Sequence, residues 1–240
     1  MTTRARSFDA AAALYGAHRP AYPPALFDTV EALAGHPLDG ARVADVGAGT
    51  GIATALLHAR GARVVAVEPG DGMAAEFRRA NPGIALVRGD GDRLPLVGGG
   101  FDLLTYAQSW HWTDPARSVP EARRVLRPGG ALALWWNDLD RTVPWIAEQD
   151  ERLLRFLGAG RNPFRALPDG LDFTSRQVRW SRRVPLDAHL ANHASHSAFL
   201  LLGEAGTRAF LDSERERLLA FFPDGSVEER YVVTLSVAVL

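Results

Sequence analysis

The chain has no cysteine and no lysine. Without cysteine there is no disulfide, no thiolate zinc site and no cysteine nucleophile. Without lysine all 27 basic residues are arginine, which removes the phosphate-cradling lysine of a P-loop and any Schiff-base lysine. Strong charge of one sign is also missing. The 27 arginines face 28 acidic residues, a formal net charge of -1 at pH 7, so no global positive field argues for nucleic acid or an anionic membrane surface. No apolar run approaches the roughly 18 residues of a membrane span. The opening "MTTRARSFDAAAALYG" lacks the apolar core and cleavage pattern of a signal peptide. The expected location is the cytoplasm, with neither nucleic acid nor membrane as a partner.

What is present is patterned. Short β-rich apolar runs, "RVADV" (42–46), "RVVAVE" (63–68), "IALVRG" (84–89), "FDLLTYA" (101–107) and "ALALWW" (131–136), alternate with the helix-like "IATALLHAR", "DGMAAEFRRA" and "PARSVPEARRVL". Strands and helices alternating at this spacing predict βαβ units and a parallel sheet. The strands are continuously apolar, as expected where helices cover both faces. At 240 residues the chain is read as one α/β domain. Residues 8–34 read as a helical N-terminal cap (1–36) broken by the prolines of "HRPAYPP". Segment 138–215 reads as partly lid-forming insertions. "FTSRQVRWSRRVPL" reads as a strand, "DAHLANHASHSAFLLLG" and "GTRAFLDSERERLLAFF" as two helices, and "ERYVVTLSVAVL" as a final, antiparallel strand.

The chemistry concentrates in "RVADVGAGTGIATALLHARGARVVAVEPGDGM" (42–73). A strand ending in Gly47-x-Gly49-x-Gly51 and opening into a helix is a device for bringing backbone close to a ligand. Glu68, at the tip of the next strand and 17 residues after Gly51, is placed to accept from vicinal ribose hydroxyls. Dinucleotide folds use G-x-G-x-x-G. Here the spacing differs, and Asp45 sits two residues before the first glycine, where a carboxylate suits a ligand carrying an ammonium group better than a pyrophosphate.

"VADVGAGTG", "VVAVEP", "VRGDGDRLPL", "FDLLTYAQSWHW" and "VLRPGGALALWWN", in that order, resemble the class I S-adenosylmethionine-dependent methyltransferases. The resemblance is narrower to the small-molecule branch of ubiquinone/menaquinone-biosynthesis-type and trans-aconitate-type enzymes, whose "YGAHRPAYP" and "VPWI" segments this chain also matches. It is strong over roughly residues 15–150. It implies a Rossmann-like, doubly wound seven-stranded sheet, mostly parallel with the last strand antiparallel, helical lid insertions, and S-adenosyl-L-methionine as cofactor with S-adenosyl-L-homocysteine as product. It implies that Gly47, Ala48, Gly49 and Gly51 pass along the methionine part, with Asp45 near its amino group. Glu68 then binds the ribose, Pro69 and Met73 pack on the adenine, and Asp90 and Gly91 meet the adenine edge. Because Gly91-Asp92 stands where the family often has Ala-Glu, either Asp90 or Asp92 holds the amine.

Methyl transfer is an in-line displacement in which alignment and water exclusion contribute on the order of 7–11 kcal/mol. A dense catalytic constellation is therefore not required. "AQSWHW" (107–112) stands beyond the carboxyl end of the fourth strand, where open α/β sheets bind ligands. It places Gln108, Ser109, His111 and Trp112 where the methyl group should emerge, with Gln108 also a cofactor contact and His111 as base or substrate-orienting group. The competing reading makes His111 and the tryptophans a floor of the cofactor pocket. Tyr15 and Arg19, in a cluster with His18 and Tyr22, are expected to contact the cofactor's carboxylate end, Arg19 through its bidentate guanidinium. His189, His193 and His196 share one predicted helix face, read as metal ligands, a lid facing the substrate, or a half-buried face. No metal is expected. "RWSRR" (179–183) splits between two strand faces, and Arg161 and Arg165 are equal candidates for an acidic acceptor. The expected acceptor is a small molecule, methylated on O, N or C by a monomer or homodimer. The alternatives are a binding module without turnover and a nicotinamide-dependent Rossmann oxidoreductase.

Overall fold

The computed structural model describes residues 19–157, 166–194 and 197–240. The chain enters with α1 (Pro24–Ala34), which Pro24 starts at a position needing no amide donor, and which Gly35 ends at φ 75°. Leu26, Phe27, Val30 and Ala34 line one stripe of it and are buried. There follow β1 (Arg42–Val46), α2 (Ile52–Ala59), β2 (Arg63–Val67), α3 (Asp71–Ala80), β3 (Ala85–Val87), β4 (Phe101–Ala107), a short 3₁₀ turn at Trp110–Trp112 and α4 (Pro115–Val125). The last part comprises β5 (Leu126–Leu139), α5 (Pro144–Leu157), β6 (Thr174–Pro185), α6 (Leu186–Ala194), α7 (Ser197–Phe221) and β7 (Ser226–Val239).

The seven strands form one sheet in the order β3-β2-β1-β4-β5-β7-β6. β7 pairs antiparallel with both β5 and β6, so six strands run one way and the last runs against them, as the sequence led us to expect. One face carries Val43, Leu103, Ala133, Trp135, Val233 and Leu235 under α1 and α2. The other carries Ala44, Val46, Leu104, Tyr106, Leu132, Leu134 and Trp136 under α4. Each fully buried large aliphatic or aromatic side chain stabilises the fold by roughly 1.5–3 kcal/mol. Two covered faces are the physical reason the strands read as unbroken apolar runs.

Two features position the site. From β1 the chain winds outward to β2 and β3, then crosses to β4 on the other side, so the strand order reverses between β1 and β4. That is where such sheets open a crevice at their carboxyl ends. Secondly, the last β5–β7 pair is Leu139 with Tyr231, whereas β6 and β7 stay paired to Pro185 and Ser226. A two-stranded ribbon therefore extends past the end of β5, with α6 following at its tip.

One element differs from expectation. The two helices predicted over 187–203 and 206–222 divide instead as α6, ending at Ala194, and α7, a single helix of 25 residues that runs through Gly203 and Gly206. Packing of α7 on its neighbours overrides the modest cost of glycine in a helix, about 1 kcal/mol each. No helix among the described residues is long and apolar enough to cross a membrane.

Candidate active site

The three glycines of the bend after β1 are all at positive φ (67°, 58° and 91°), but they serve different neighbours. A Cβ on Gly47 would sit 2.5 Å from Ser109 Cβ, and one on Gly51 2.5 Å from Asn81 Nδ2 and 2.7 Å from Phe77. At Gly49 a Cβ would meet no atom of the described residues within 4 Å. So Gly47 and Gly51 admit protein, and only Gly49 borders open space. The amides of Gly47, Ala48 and Gly51 are turned to protein acceptors as well. Gly47 and Ala48 N–H donate to the Val67 carbonyl at 2.8 and 3.1 Å, and Gly51 N–H donates to Ala48 at 2.9 Å. Close approach, rather than a cradle of free amides, is what this turn supplies.

Glu68 closes the other side. It is 6% exposed; its Oε2 accepts from Gly49 N–H at 2.8 Å and its Oε1 from Gly70 N–H at 2.7 Å. The acid at the tip of β2 is thus locked against the one glycine of the bend that faces open space. The Glu68-to-Asp71 turn is held in turn by Arg88, whose guanidinium donates to the Glu68 carbonyl at 3.1 Å, to the Pro69 carbonyl and to Asp71. Sequence reasoning missed Arg88, since an arginine just after a short strand carries no pattern of its own.

Asp45 departs from its expected role. It is fully buried on the α2 side, its Oδ2 accepting from Thr54 Oγ1 at 2.6 Å and its Oδ1 from Thr105 Oγ1 at 2.8 Å. Burial pushes its carboxyl up to about 6, against the opposing effect of the two hydroxyls. It presents no surface to an amino group. Strand alternation turns the side chain inward, where it ties β1 to α2 and β4 beneath the bend.

Residues 44–134 match the model of the methyltransferase domain. An uncharacterised methyltransferase of Mycobacterium tuberculosis is 37% identical over 221 residues, covering 90% of this chain and 87% of its own. The chain belongs to the methyltransferase family. A demethylmenaquinone methyltransferase of Beutenbergia cavernae is 34% identical over 164 residues, 68% of each chain. Among solved structures, a proposed Type II methyltransferase from Anaeromyxobacter dehalogenans superposes with a TM-score of 0.72 at 25% identity, covering 92% of this chain and 97% of that one. The fold class and the kind of enzyme read from the sequence are those of these proteins.

The remaining predicted positions of this methyltransferase distribute around the bend. Pro69 is half-buried and Met73 buried at the start of α3. Asp90 Oδ1 accepts from Asp92 and Arg93 N–H at 3.0 and 3.1 Å, while Asp92 Oδ1 accepts from Asp114 N–H at 2.8 Å. Asp90 therefore shapes its own loop and Asp92 ties that loop to the start of α4. Gly91 lies against Thr113 and Tyr106, which a Cβ would meet at 2.7 and 3.0 Å. Gln108 is the one non-glycine residue at positive φ (61°) among those described, a strained conformation of the kind that clusters at functional sites. Ser109 Oγ donates to the Val46 carbonyl at 2.5 Å, which seats the end of β4 on the bend. His111 is half-buried, with Trp136 Nε1–H donating to its Nδ1 at 3.3 Å and its ring 4.6 Å from Trp112. That bond favours the neutral tautomer with the proton on Nε2.

Arg19 lies near enough to His193 to disfavour its protonation, which puts it beside α6. Tyr15, His18, Arg161, Arg165 and His196 fall outside the described residues. His189 and His193 are not half-buried but buried, at 0% and 6% exposure. His189 Nδ1 lies 2.7 Å from Glu229 Oε1 and its Nε2 3.1 Å from Gln149 Oε1, with His193 ring to ring at 4.7 Å. Glu229 also accepts from Arg182 Nε at 2.6 Å and Tyr231 OH at 2.8 Å. No metal-ligating cluster of three groups occurs among the described residues. Of the basic strand, Arg182 turns in to Glu229, while Arg179 is exposed and meets Asp140 at 3.5 Å.

Proposed function

We propose that this enzyme moves the methyl group of S-adenosyl-L-methionine to an O, N or C atom of a small-molecule acceptor, releasing S-adenosyl-L-homocysteine. The observation that carries the reading is the Glu68 carboxylate fixed 2.8 Å from the amide of Gly49, the glycine whose missing Cβ leaves open space. Family membership supports the cofactor class. The residues present fit the nucleoside: Glu68 brings a carboxylate, the acceptor group that two ribose hydroxyls require, to the open side of Gly49, and the buried Thr50 hydroxyl beside Gly49 has no hydrogen-bond partner among the described residues. When bound, the cofactor supplies a methyl group activated on a sulfonium.

The chain's own contribution is placement. Glu68 grips the sugar, the Gly47–Gly51 bend lets the methionine part pass close, and Pro69 and Met73 cover one side of the adenine. Asp90 and Asp92 set the adenine loop, with the second oxygen of either available to the amine. Gln108 and His111 stand at the end of β4, where the methyl would emerge. With its Nδ1 accepting from Trp136, His111 offers an Nε2–H donor, which suits orienting an acceptor better than deprotonating one. Tyr15 and Arg19 belong in this reading at the cofactor's carboxylate end.

Calorimetry with S-adenosyl-L-homocysteine tests it. Micromolar or tighter binding is expected, with NADH inert. Glu68→Ala should weaken binding by roughly 1.5–3 kcal/mol for each charged hydrogen bond lost. Unchanged affinity would remove Glu68 from the site. Label transfer from methyl-labelled cofactor to an acceptor panel separates turnover from binding alone.

A further inference from the structure

Two buried donors at the end of β5 have no hydrogen-bond partner among the described residues: Trp135 Nε1–H, at 0% exposure, and Asn137 Nδ2, at 7%. Their residues are two apart on one strand, so both side chains leave the same face of the sheet, from Cα atoms roughly 7 Å apart. Native structures seldom bury a donor without a partner, and those that occur call for a cause.

The polarity of this pair is fixed. Indole N–H groups only donate. Asn137 is held in one orientation because Trp180 Nε1–H donates to its Oδ1 at 3.0 Å; flipping the amide would set donor against donor. The NH₂ end must therefore face the unmet position. Trp180 is itself braced by stacking on Tyr231 at 4.9 Å.

The pair adjoins the bend. Strained Gln108 donates its backbone N–H to the Trp135 carbonyl at 2.9 Å and its side-chain Nε2 to the Asn137 carbonyl at 3.3 Å. The next residue, Ser109, packs on Gly47. Two adjacent residues thus make the contacts with the donor pair and with the glycine turn.

From this juxtaposition we infer that Trp135 and Asn137 recognise the methyl acceptor, and that this acceptor carries a carbonyl or carboxylate oxygen rather than a cationic group. The inference rests on the methyltransferase reading above. A carbonyl or carboxylate oxygen has the lone pairs to meet both donors, whereas an ammonium group would oppose them.

Ligand-observed NMR with benzoate, acetophenone and benzylamine, in the presence of saturating S-adenosyl-L-homocysteine, tests it. Wild type should bind benzoate or acetophenone and favour them over benzylamine. Asn137→Asp keeps the acceptor for Trp180 but replaces the NH₂ donor by a carboxylate oxygen. It should weaken benzoate at least 10-fold and strengthen benzylamine. Trp135→Phe should weaken the oxygen-bearing probes several-fold. In both variants calorimetric affinity for S-adenosyl-L-homocysteine should stay within 2-fold of wild type, which also shows that they fold. The inference is overturned by equal probe binding in all three proteins, by no wild-type binding of either oxygen-bearing probe, or by a preference for benzylamine. A fall in S-adenosyl-L-homocysteine affinity confined to the variants would overturn it too, assigning the donors to the cofactor. Failure of wild type to bind S-adenosyl-L-homocysteine sinks instead the reading it rests on.

Discussion

Gly47, Gly49 and Gly51 look interchangeable in a motif and are not. Alanine at Gly47 must adopt a left-handed conformation, costing about 1–2 kcal/mol, and must also displace Ser109, an overpacking of about 1–3 kcal/mol. Urea unfolding should show that combined loss. Alanine at Gly49 meets the backbone cost alone, so its stability loss should be the smaller, while its methyl group projects into the open space and calorimetric affinity for S-adenosyl-L-homocysteine should fall at least 10-fold. Equal stability losses at the two positions, with binding retained at Gly49, would show that Gly49 does not border the ligand. The motif is legible in the sequence. Which glycine faces a ligand is not, because Ser109, Phe77 and Asn81 reach the bend from 26 to 62 residues away. Asp45 teaches the same lesson: its place in the motif is visible, but its inward direction follows from hydroxyls on α2 and β4.

At the scale of elements, the strand–helix alternation from β1 to β5 could be read directly, since periodicity and glycine punctuation agree there. The region after β5 was less legible, because its helices carry polar residues turned inward. The Arg152 guanidinium of α5 makes a paired contact with Glu214 of α7, at 2.5 and 2.9 Å, and Glu214 is 1% exposed. Arg152→Ala leaves that carboxylate buried without its partner, and the loss should be about 3–5 kcal/mol by chemical denaturation. A loss below 1 kcal/mol would mean that α5 and α7 are not held together by this pair. Glu229 on β7 is a comparable anchor. The neighbouring His189 and Arg182 hold its carboxyl down at about 2 despite burial. Its folded pKa lies below its ordinary value of 4.5, so this contribution is complete above about pH 4.5 and is lost as pH falls toward 2. Glu229→Gln should flatten stability against pH in that window.

For the whole molecule, two buried groups tilt stability in opposite directions. His193 is pushed down to about 3, by burial first and then by His189 and Arg19. Between pH 6.5 and 3 the unfolded chain therefore binds the extra proton, and stability rises with pH. Asp45, raised to about 6, binds its proton in the folded state between pH 3.8 and 6, so stability falls with pH across that range. Each full proton difference is a slope of about 1.4 kcal/mol per pH unit. Denaturation series from pH 4 to 6 should show His193→Asn tilting downward with pH relative to wild type and Asp45→Asn tilting upward. Parallel curves for all three proteins would refute both assignments.

The sequence by itself determined the α/β alternation, the reversed last strand, the glycine bend with its acid, and through them the family, because these depend on local periodicity and on short motifs. Only the tertiary structure decided that Gly49 alone borders open space, that Asp45 faces inward, and that the histidines of α6 join a buried network with Glu229. It also decided that two unmet donors stand together at the end of β5. Those facts depend on which side chains from distant parts of the chain arrive at one place, and no spacing along the chain encodes that arrival.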